Sequence, residues 1–287
     1  MQSIHRLELL RTAVASWRKG GETIALVPTM GALHDGHLAL VRAAREHADR
    51  VVVSIFVNPT QFGPNEDLDA YPRTLEADTR LLEAEGVDAL WAPDAGEMYP
   101  DGFATSIAVD GVSADFCGSS RPGHFAGVAT VVCKLFNQVR PDVALFGEKD
   151  WQQLAVIRRM ARDLDLVLPA ADAIIGVPTV REEDGLALSS RNRYLDDAQR
   201  EQAAILPRAM RQAVARIEAG APVGAALRDL EHKLLEGGFG KVDYAALADA
   251  ASLERIDALS GRPARLLVAA HIGSTRLIDN MAVLPPT

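Results

Sequence analysis

The chain has 287 residues, 48% of them hydrophobic, enough to bury a full core in one large domain or two unequal ones. Its formal net charge of −9, from 39 acidic and 30 basic residues, speaks against a surface built for nucleic acid, which carries a basic excess. Cys117 and Cys133 are too few for a disulfide framework and are expected to be reduced and structural; no uninterrupted apolar stretch resembles a signal peptide or a membrane span, so a cytoplasmic location is expected.

Leu7, Leu10, Val14 and Trp17 fall at helical spacing among charges and predict an amphipathic first helix. Residues 24–27 form a short apolar run between Gly21 and Pro28, the pattern of a strand buried on both faces. Leu38, Leu40, Val41, Ala44 and Ala48 return to roughly helical spacing. Between strand and helix lies Pro28-Thr29-Met30-Gly31-Ala32-Leu33-His34-Asp35-Gly36-His37. The first turn of a helix has unpaired N–H groups and the positive end of the macrodipole, so this turn is placed to bind an anion such as phosphate. Gly31 and Gly36 let a ligand approach the backbone, and a side chain at Gly36 would block a flat base or sugar. His34 and His37, three apart, can face bound phosphates together and donate hydrogen bonds as charge builds on them. The chemistry implied is phosphoryl or nucleotidyl transfer. A pair of capping histidines, a metal pair and chance are the alternatives, and metal is the least favoured because no third ligand with zinc-like spacing follows nearby.

Further strand candidates at 51–57, 89–92, 143–146 and 174–177, with helical patterns between most of them, predict an α/β fold with a doubly wound parallel sheet. Ligands of such sheets bind beyond the carboxyl ends of the strands, where the turns carrying His34 and His37, Asn58 and Gln61, and Lys149 and Asp150 all fall. Asp150 is expected to open the next helix as its N-cap. Glu182-Glu183-Asp184-Gly185 has the composition of a mobile loop. The pattern then changes to long helices at 196–219 and 223–236, a Gly-rich break at 237–240, and strands at 242–247 and 266–271. Two domains are expected: a Rossmann-like unit over 1–178 and a smaller α+β lid over 179–287.

Several blocks occur in a telling order. They are His34-Asp35-Gly36-His37, Asn58-Pro59-Thr60-Gln61-Phe62, Tyr71-Pro72-Arg73-Thr74, Arg121-Pro122-Gly123-His124-Phe125, Gly147-Glu148-Lys149-Asp150-Trp151-Gln152-Gln153 and Leu188-Ser189-Ser190-Arg191-Asn192-Arg193-Tyr194-Leu195. The first resembles the His-x-Gly-His signature of the nucleotidyltransferases related to class I aminoacyl-tRNA synthetases. Together, over residues 22–195, they resemble the pantothenate synthetase (pantoate–β-alanine ligase) family.

The resemblance implies ATP as substrate with Mg2+, a pantoyl-adenylate intermediate with release of pyrophosphate, and displacement of AMP by β-alanine. It implies ATP contacts from Met30, Gly31, Ala32, Leu33, His34, Asp35, Gly36 and His37, from Gly147, Glu148, Lys149 and Asp150, and from Val180, Leu188, Ser189, Ser190 and Arg191. His37, His34, Lys149 and Arg191 are the expected catalytic residues, since in-line attack on phosphorus needs cations and donors where charge develops; the resemblance also makes His37 a proton donor. Pantoate is placed between Gln61 and Gln153, and β-alanine beside Gln61; amides can donate to oxygen and accept from hydroxyl without burying a charge. Arg121 could clamp an anion or cover the site. Asp78 is the one candidate for a Mg2+ contact, through water, against the plainer reading of a helix-surface acid. A homodimer is implied by the resemblance alone, and no nucleic acid or membrane partner is expected. Another nucleotidyltransferase of the superfamily would lack the Gln61 and Gln153 blocks, and a silent nucleotide-binding protein would have lost some of His37, Lys149 or Arg191; all are present.

Overall fold

The computed structural model describes residues 1–64 and 66–284. In chain order it runs β1 (Gln2–Ile4), α1 (Leu7–Lys19), β2 (Ile24–Thr29), α2 (Asp35–His47), β3 (Arg50–Ile55), α3 (Leu75–Ala84), β4 (Ala89–Trp91), α4 (Ala95–Met98), α5 (Cys117–Ser120), α6 (His124–Val139), β5 (Val143–Gly147), α7 (Trp151–Asp163) and β6 (Ile174–Val177). It continues with α8 (Asp197–Ala203), α9 (Ile205–Glu218), α10 (Val223–Glu236), β7 (Lys241–Asp249), β8 (Ala264–Ile272) and β9 (Thr275–Val283).

The first six strands form one parallel sheet in the order β1-β4-β3-β2-β5-β6. Successive side chains of a strand point to opposite faces, and both faces here are covered. Leu26 joins the core made with α1, α6 and α7, through Leu10, Val132 and Ile157; Ala25 and Val27 join the core made with α2 and α3, through Val41 and Leu82. This is the doubly wound architecture expected. Strand order reverses at β2, which has β3 on one side and β5 on the other, so the turns leaving β2 and β5 border the crevice where such sheets bind ligands.

Two strands were not legible beforehand, β1 and β9. β1 has three residues at the sheet edge, of which only Ile4 is buried, so it offers no apolar run. β9 carries Arg276, Asp279 and Asn280 among its apolar residues, which breaks the alternation a strand reading relies on. The helix expected over 196–219 is two helices interrupted at Ala204. Pro207, third residue of α9, cannot donate to a carbonyl four residues back and its ring crowds that carbonyl, so the helix restarts before it.

β7, β8 and β9 form an antiparallel sheet, the smaller α+β unit, and its two faces have different destinations. Leu247, Leu266 and Val268 pack with Met210 and Ile217 of α9 and Leu230 and Leu234 of α10, whereas Ala246, Ala248 and Leu267 enter the core of the large sheet. The second sheet is thereby packed onto the first. The charged segment at 182–185, expected as a mobile loop, is a tight turn: Arg181 and Ala187 bridge across it, and Arg200 pairs with both Glu182 and Asp184, at 2.6 and 2.7 Å. Cys117 and Cys133 are free thiols. Among the described residues no helix is long and apolar enough to cross a membrane.

Candidate active site

The turn after β2 is a helix cap, one of the readings the sequence offered, and because each histidine has two ring nitrogens the capping leaves one of them on each ring uncommitted. His34 is the N-cap of α2, and its Nδ1 accepts from the Gly36 N–H at 3.2 Å. His37 reaches back, its Nδ1 accepting from the His34 N–H at 3.3 Å. With both Nδ1 atoms accepting, the ring protons are on Nε2. Burial, with the charge of Lys149 and Arg193, pushes the His34 pKa down to about 4. Burial, with His34 and Lys149, pushes His37 down to about 3. At neutral pH both are therefore uncharged imidazoles that donate through Nε2–H, with ring centroids 4.1 Å apart. His37 thus presents a neutral hydrogen-bond donor. A Cβ on Gly36 would lie 2.9 Å from the His34 ring, so the glycine is needed by the histidine itself.

Asp78 is neither a helix-surface acid nor free for a metal ion. It is 2% exposed, its two carboxylate oxygens accept the N–H groups of Ala32 and Leu33, both at 2.9 Å, and the Thr74 hydroxyl donates to it at 3.1 Å. Gly31 at φ +84° and Ala32 at φ 52° turn those two amides inward. The same bonds occupy the backbone N–H groups of Ala32 and Leu33, two of the residues expected at ATP. Gly31, Asp35 and Glu148 also stay off the wall of the cavity: Asp35 is exposed at the start of α2, and the Glu148 carboxylate is 3.3 Å from Arg265. Removing the Asp78 carboxylate leaves two buried donors unpaired, which costs on the order of 2–4 kcal/mol. Asp78→Ala is therefore expected to lower the denaturant midpoint strongly, with Asp78→Asn intermediate. A change in Mg2+ requirement at wild-type stability would show the brace reading to be wrong.

The remaining expected residues come together. A cavity of about 230 Å³ is lined by Met30, His34, Gly36, His37, Gln61, Gly147, Lys149, Asp150, Gln153, Val180, Leu188, Ser189, Ser190 and Arg191. Past Lys149, Asp150, Ser189, Arg191 and Arg121 it continues into a wider cleft of about 900 Å³ walled by β9. Lys149 and Asp150 lie in the 3-10 turn Glu148–Asp150 that follows β5. Asp150 holds the N-cap position of α7, yet its side chain makes no capping bond; it sits 3.9 Å from Lys149 Nζ. On the opposite wall Ser189 caps the turn Ser190–Tyr194 by accepting from the Arg191 N–H, and the Val180 carbonyl accepts from Leu188.

Sequence reading gave no role to Asn58, Tyr71 or His124, which the fold places on the same cavity. Asn58 is 1% exposed and donates from Nδ2 to Gln61 Oε1 at 3.1 Å, which turns the Gln61 amide hydrogens outward, one toward Met30 Sδ at 3.1 Å. His124 Nδ1–H donates to the Gln61 carbonyl at 2.8 Å, and its Nε2 accepts from Arg121 at 3.0 Å. Gly127 lets α6 approach this turn: a Cβ there would stand 2.4 Å from the Thr60 carbonyl oxygen. Arg121 is paired with Glu66, and Arg191 with Asp67 at 2.9 and 3.1 Å, so both arginines have carboxylates for partners. Burial works to raise those two carboxyls, but the guanidiniums hold both below the ordinary range. In the sequence His124 was marked only by its place in a quoted block, and Asn58 by its block and by its turn at a strand's end.

A family model described as pantoate-beta-alanine ligase matches residues 2–282. The pantothenate synthetase of Novosphingobium aromaticivorans is 68% identical over 285 residues, 99% of this chain and 100% of that one. That of Sphingopyxis alaskensis is 60% identical over 283 residues, again 99% and 100%. Among solved structures, pantothenate synthetase from Thermus thermophilus is similar at a TM-score of 0.92 and 48% identity, over 99% of this chain and 100% of that one. A pantoate-beta-alanine ligase from Francisella tularensis, complexed with beta-gamma ATP and beta-alanine, is similar at 0.82 and 35%, over 98% and 97%.

Proposed function

The chain belongs to the pantoate–β-alanine ligase family, and from that premise we propose how its cleft performs the reaction. It is an ATP-dependent ligase that joins pantoate and β-alanine. In the first step a pantoate carboxylate oxygen attacks the α-phosphorus of ATP and the bond to pyrophosphate breaks. In the second the β-alanine amine attacks the acyl carbon, loses a proton, and AMP departs with the electrons of the broken acyl–oxygen bond.

Lys149 and Arg191, with the hydroxyls of Ser189 and Ser190, hold the phosphates. Asp67 fixes the Arg191 guanidinium by Nε and Nη2, leaving Nη1 for a phosphate oxygen. His34 and His37 donate from the facing side of the crevice. Gln61, its amide hydrogens presented by Asn58, and Gln153 hold pantoate, and β-alanine enters beside Gln61. The observation that carries this reading is the convergence of the β2 and β5 turns with the 188–191 turn on one cavity, because charge neutralisation along the triphosphate needs donors from opposite sides.

Mg2+ is proposed to enter with the ATP phosphates. Among the described residues no group of three or more His, Cys, Asp or Glu could hold a metal ion, and Asp78 is committed to backbone amides, so no step is assigned to a protein-bound ion. Residues 179–287 are proposed as the cover of the nucleotide, since Val180 and Leu188 to Arg191 line its far wall. A homodimer in the cytoplasm is proposed on family membership, and light scattering at twice the 30.8 kDa chain mass checks the first part.

The experiment that tests the two steps follows pyrophosphate and AMP separately, with ATP, Mg2+ and pantoate, with and without β-alanine. Pyrophosphate equal to enzyme without β-alanine, and AMP turnover only with it, are expected. Neither product appearing with pantoate overturns the substrate assignment.

A further inference from the structure

β9 sets two adjacent polar side chains against the two walls of the cleft. Asn280 is 3% exposed; Nδ2 donates to the carbonyl oxygens of Glu148 at 2.9 Å and Lys149 at 2.8 Å, and Oδ1 accepts from Arg265 Nη1 at 2.9 Å. Both amide hydrogens and the oxygen are thus used. Arg265 is itself held, its guanidinium 3.5 Å over the Trp151 ring. Asp279, 2% exposed, takes the Arg181 fork at 2.7 and 2.8 Å and accepts its neighbour's N–H at 2.7 Å. Adjacent strand residues point to opposite faces, so one dipeptide reaches the Lys149 turn on one side and Arg181, in the segment after β6, on the other.

This matters because of what a lysine is. Its ammonium rides on four rotatable bonds and presents a point charge with no preferred plane, so a scaffold can fix its reach only by fixing its backbone. The backbone here is a three-residue 3-10 turn between β5 and α7. Asn280 supplies partners for two of its carbonyls from a different sheet.

We propose that Asn280 is a positioning residue for Lys149, anchoring the turn from which the lysine reaches the phosphates, so that β9 is part of the adenylylating machinery. The proposal rests on the reading of Lys149 as a phosphate-holding residue. Asn280 touches no substrate and acts through the Lys149 backbone.

The test is a double-mutant cycle on single-turnover pyrophosphate release at saturating ATP and pantoate. Asn280→Asp keeps the shape and the acceptor for Arg265 but turns a bare oxygen toward two carbonyls. It is expected to slow release about 100-fold, with a smaller change in the half-saturating ATP concentration. In a Lys149→Ala background the same substitution is expected to cost less than about twofold, because the group it positions is gone. An equal loss in both backgrounds overturns the proposal, showing that Asn280 serves the fold in general, and so does Asn280→Asp at the wild-type rate. If Lys149→Ala alone releases pyrophosphate at the wild-type rate, the lysine reading fails first, and the cycle shows this separately. Should Asn280→Asp not fold, Asn280→Ser, which retains one donor, replaces it in the same cycle with an intermediate loss expected.

Discussion

Replacing Lys149 by Ala is expected to slow pyrophosphate release by about 1,000-fold while leaving the chain folded. The size follows from the site: the ammonium faces the cavity, its side chain is 19% exposed, and its nearest counter-charge is Asp150 at 3.9 Å. A cation so placed gains most when negative charge moves onto the departing pyrophosphate, and in a partly water-excluded cleft that gain is larger than in bulk water. The fold survives because the turn is held through the carbonyls of Glu148 and Lys149, not through the lysine side chain. Lys149→Arg is expected to recover only part of the loss, since a planar fork on a longer reach does not return the point charge to its place. Quenched-flow measurement of pyrophosphate with pantoate and without β-alanine reads the first step alone. Wild-type release from Lys149→Ala would falsify the assignment.

His37→Ala is expected to lose about 100-fold in the same step, and His37→Gln distinctly less. The distinction separates two chemistries. A neutral Nε2–H donor is imitated by the Gln amide, whereas a proton donor is not, and a pKa near 3 leaves no proton to give at pH 7. The pH profile carries the same sign. Neither histidine charges in the folded chain until about pH 4 and about pH 3, so neither contributes an inflection between pH 5 and 8 to kcat/KM for ATP, which reports the enzyme before nucleotide binds. Unfolded, both take up protons near pH 6.5. Stability from this pair is thus complete above that value and is lost as pH falls from 6.5 through the folded values. An inflection near pH 6.5 in wild-type pyrophosphate release that disappears in His37→Gln would count decisively against the neutral-donor role.

The site was legible where a strand end, a turn residue and a helix start are contiguous. His34, Gly36, His37, Lys149 and Arg191 could be picked out because each sits in a short block beside an apolar run, and the structure brings them to one cavity. Asp78 was misread because helical position says only which face a residue takes, and this face turned out to be covered by the β2 turn, whose two inward amides demanded a carboxylate. His124 went without a role because it acts on the Gln61 carbonyl from 63 residues away, and Asn58 because only its burial in the fold turns its amide onto the Gln61 side chain. β9 was missed for a related reason: Asp279 and Asn280 are polar because they grip the cleft walls, and that polarity erased the strand pattern.

What the sequence by itself determined is local: the apolar runs of the parallel strands, the amphipathic helices, the glycine- and histidine-bearing turn after β2 and the family to which the ordered blocks belong. Only the tertiary structure decided which nitrogen of each histidine is free, which acids brace and which face the cleft, and that a strand near the end of the chain holds Lys149 in place. The physical reason is that periodicity and turn chemistry are written within a dozen residues, whereas hydrogen-bond satisfaction, burial and the pKa shifts they cause are settled between elements far apart in the chain.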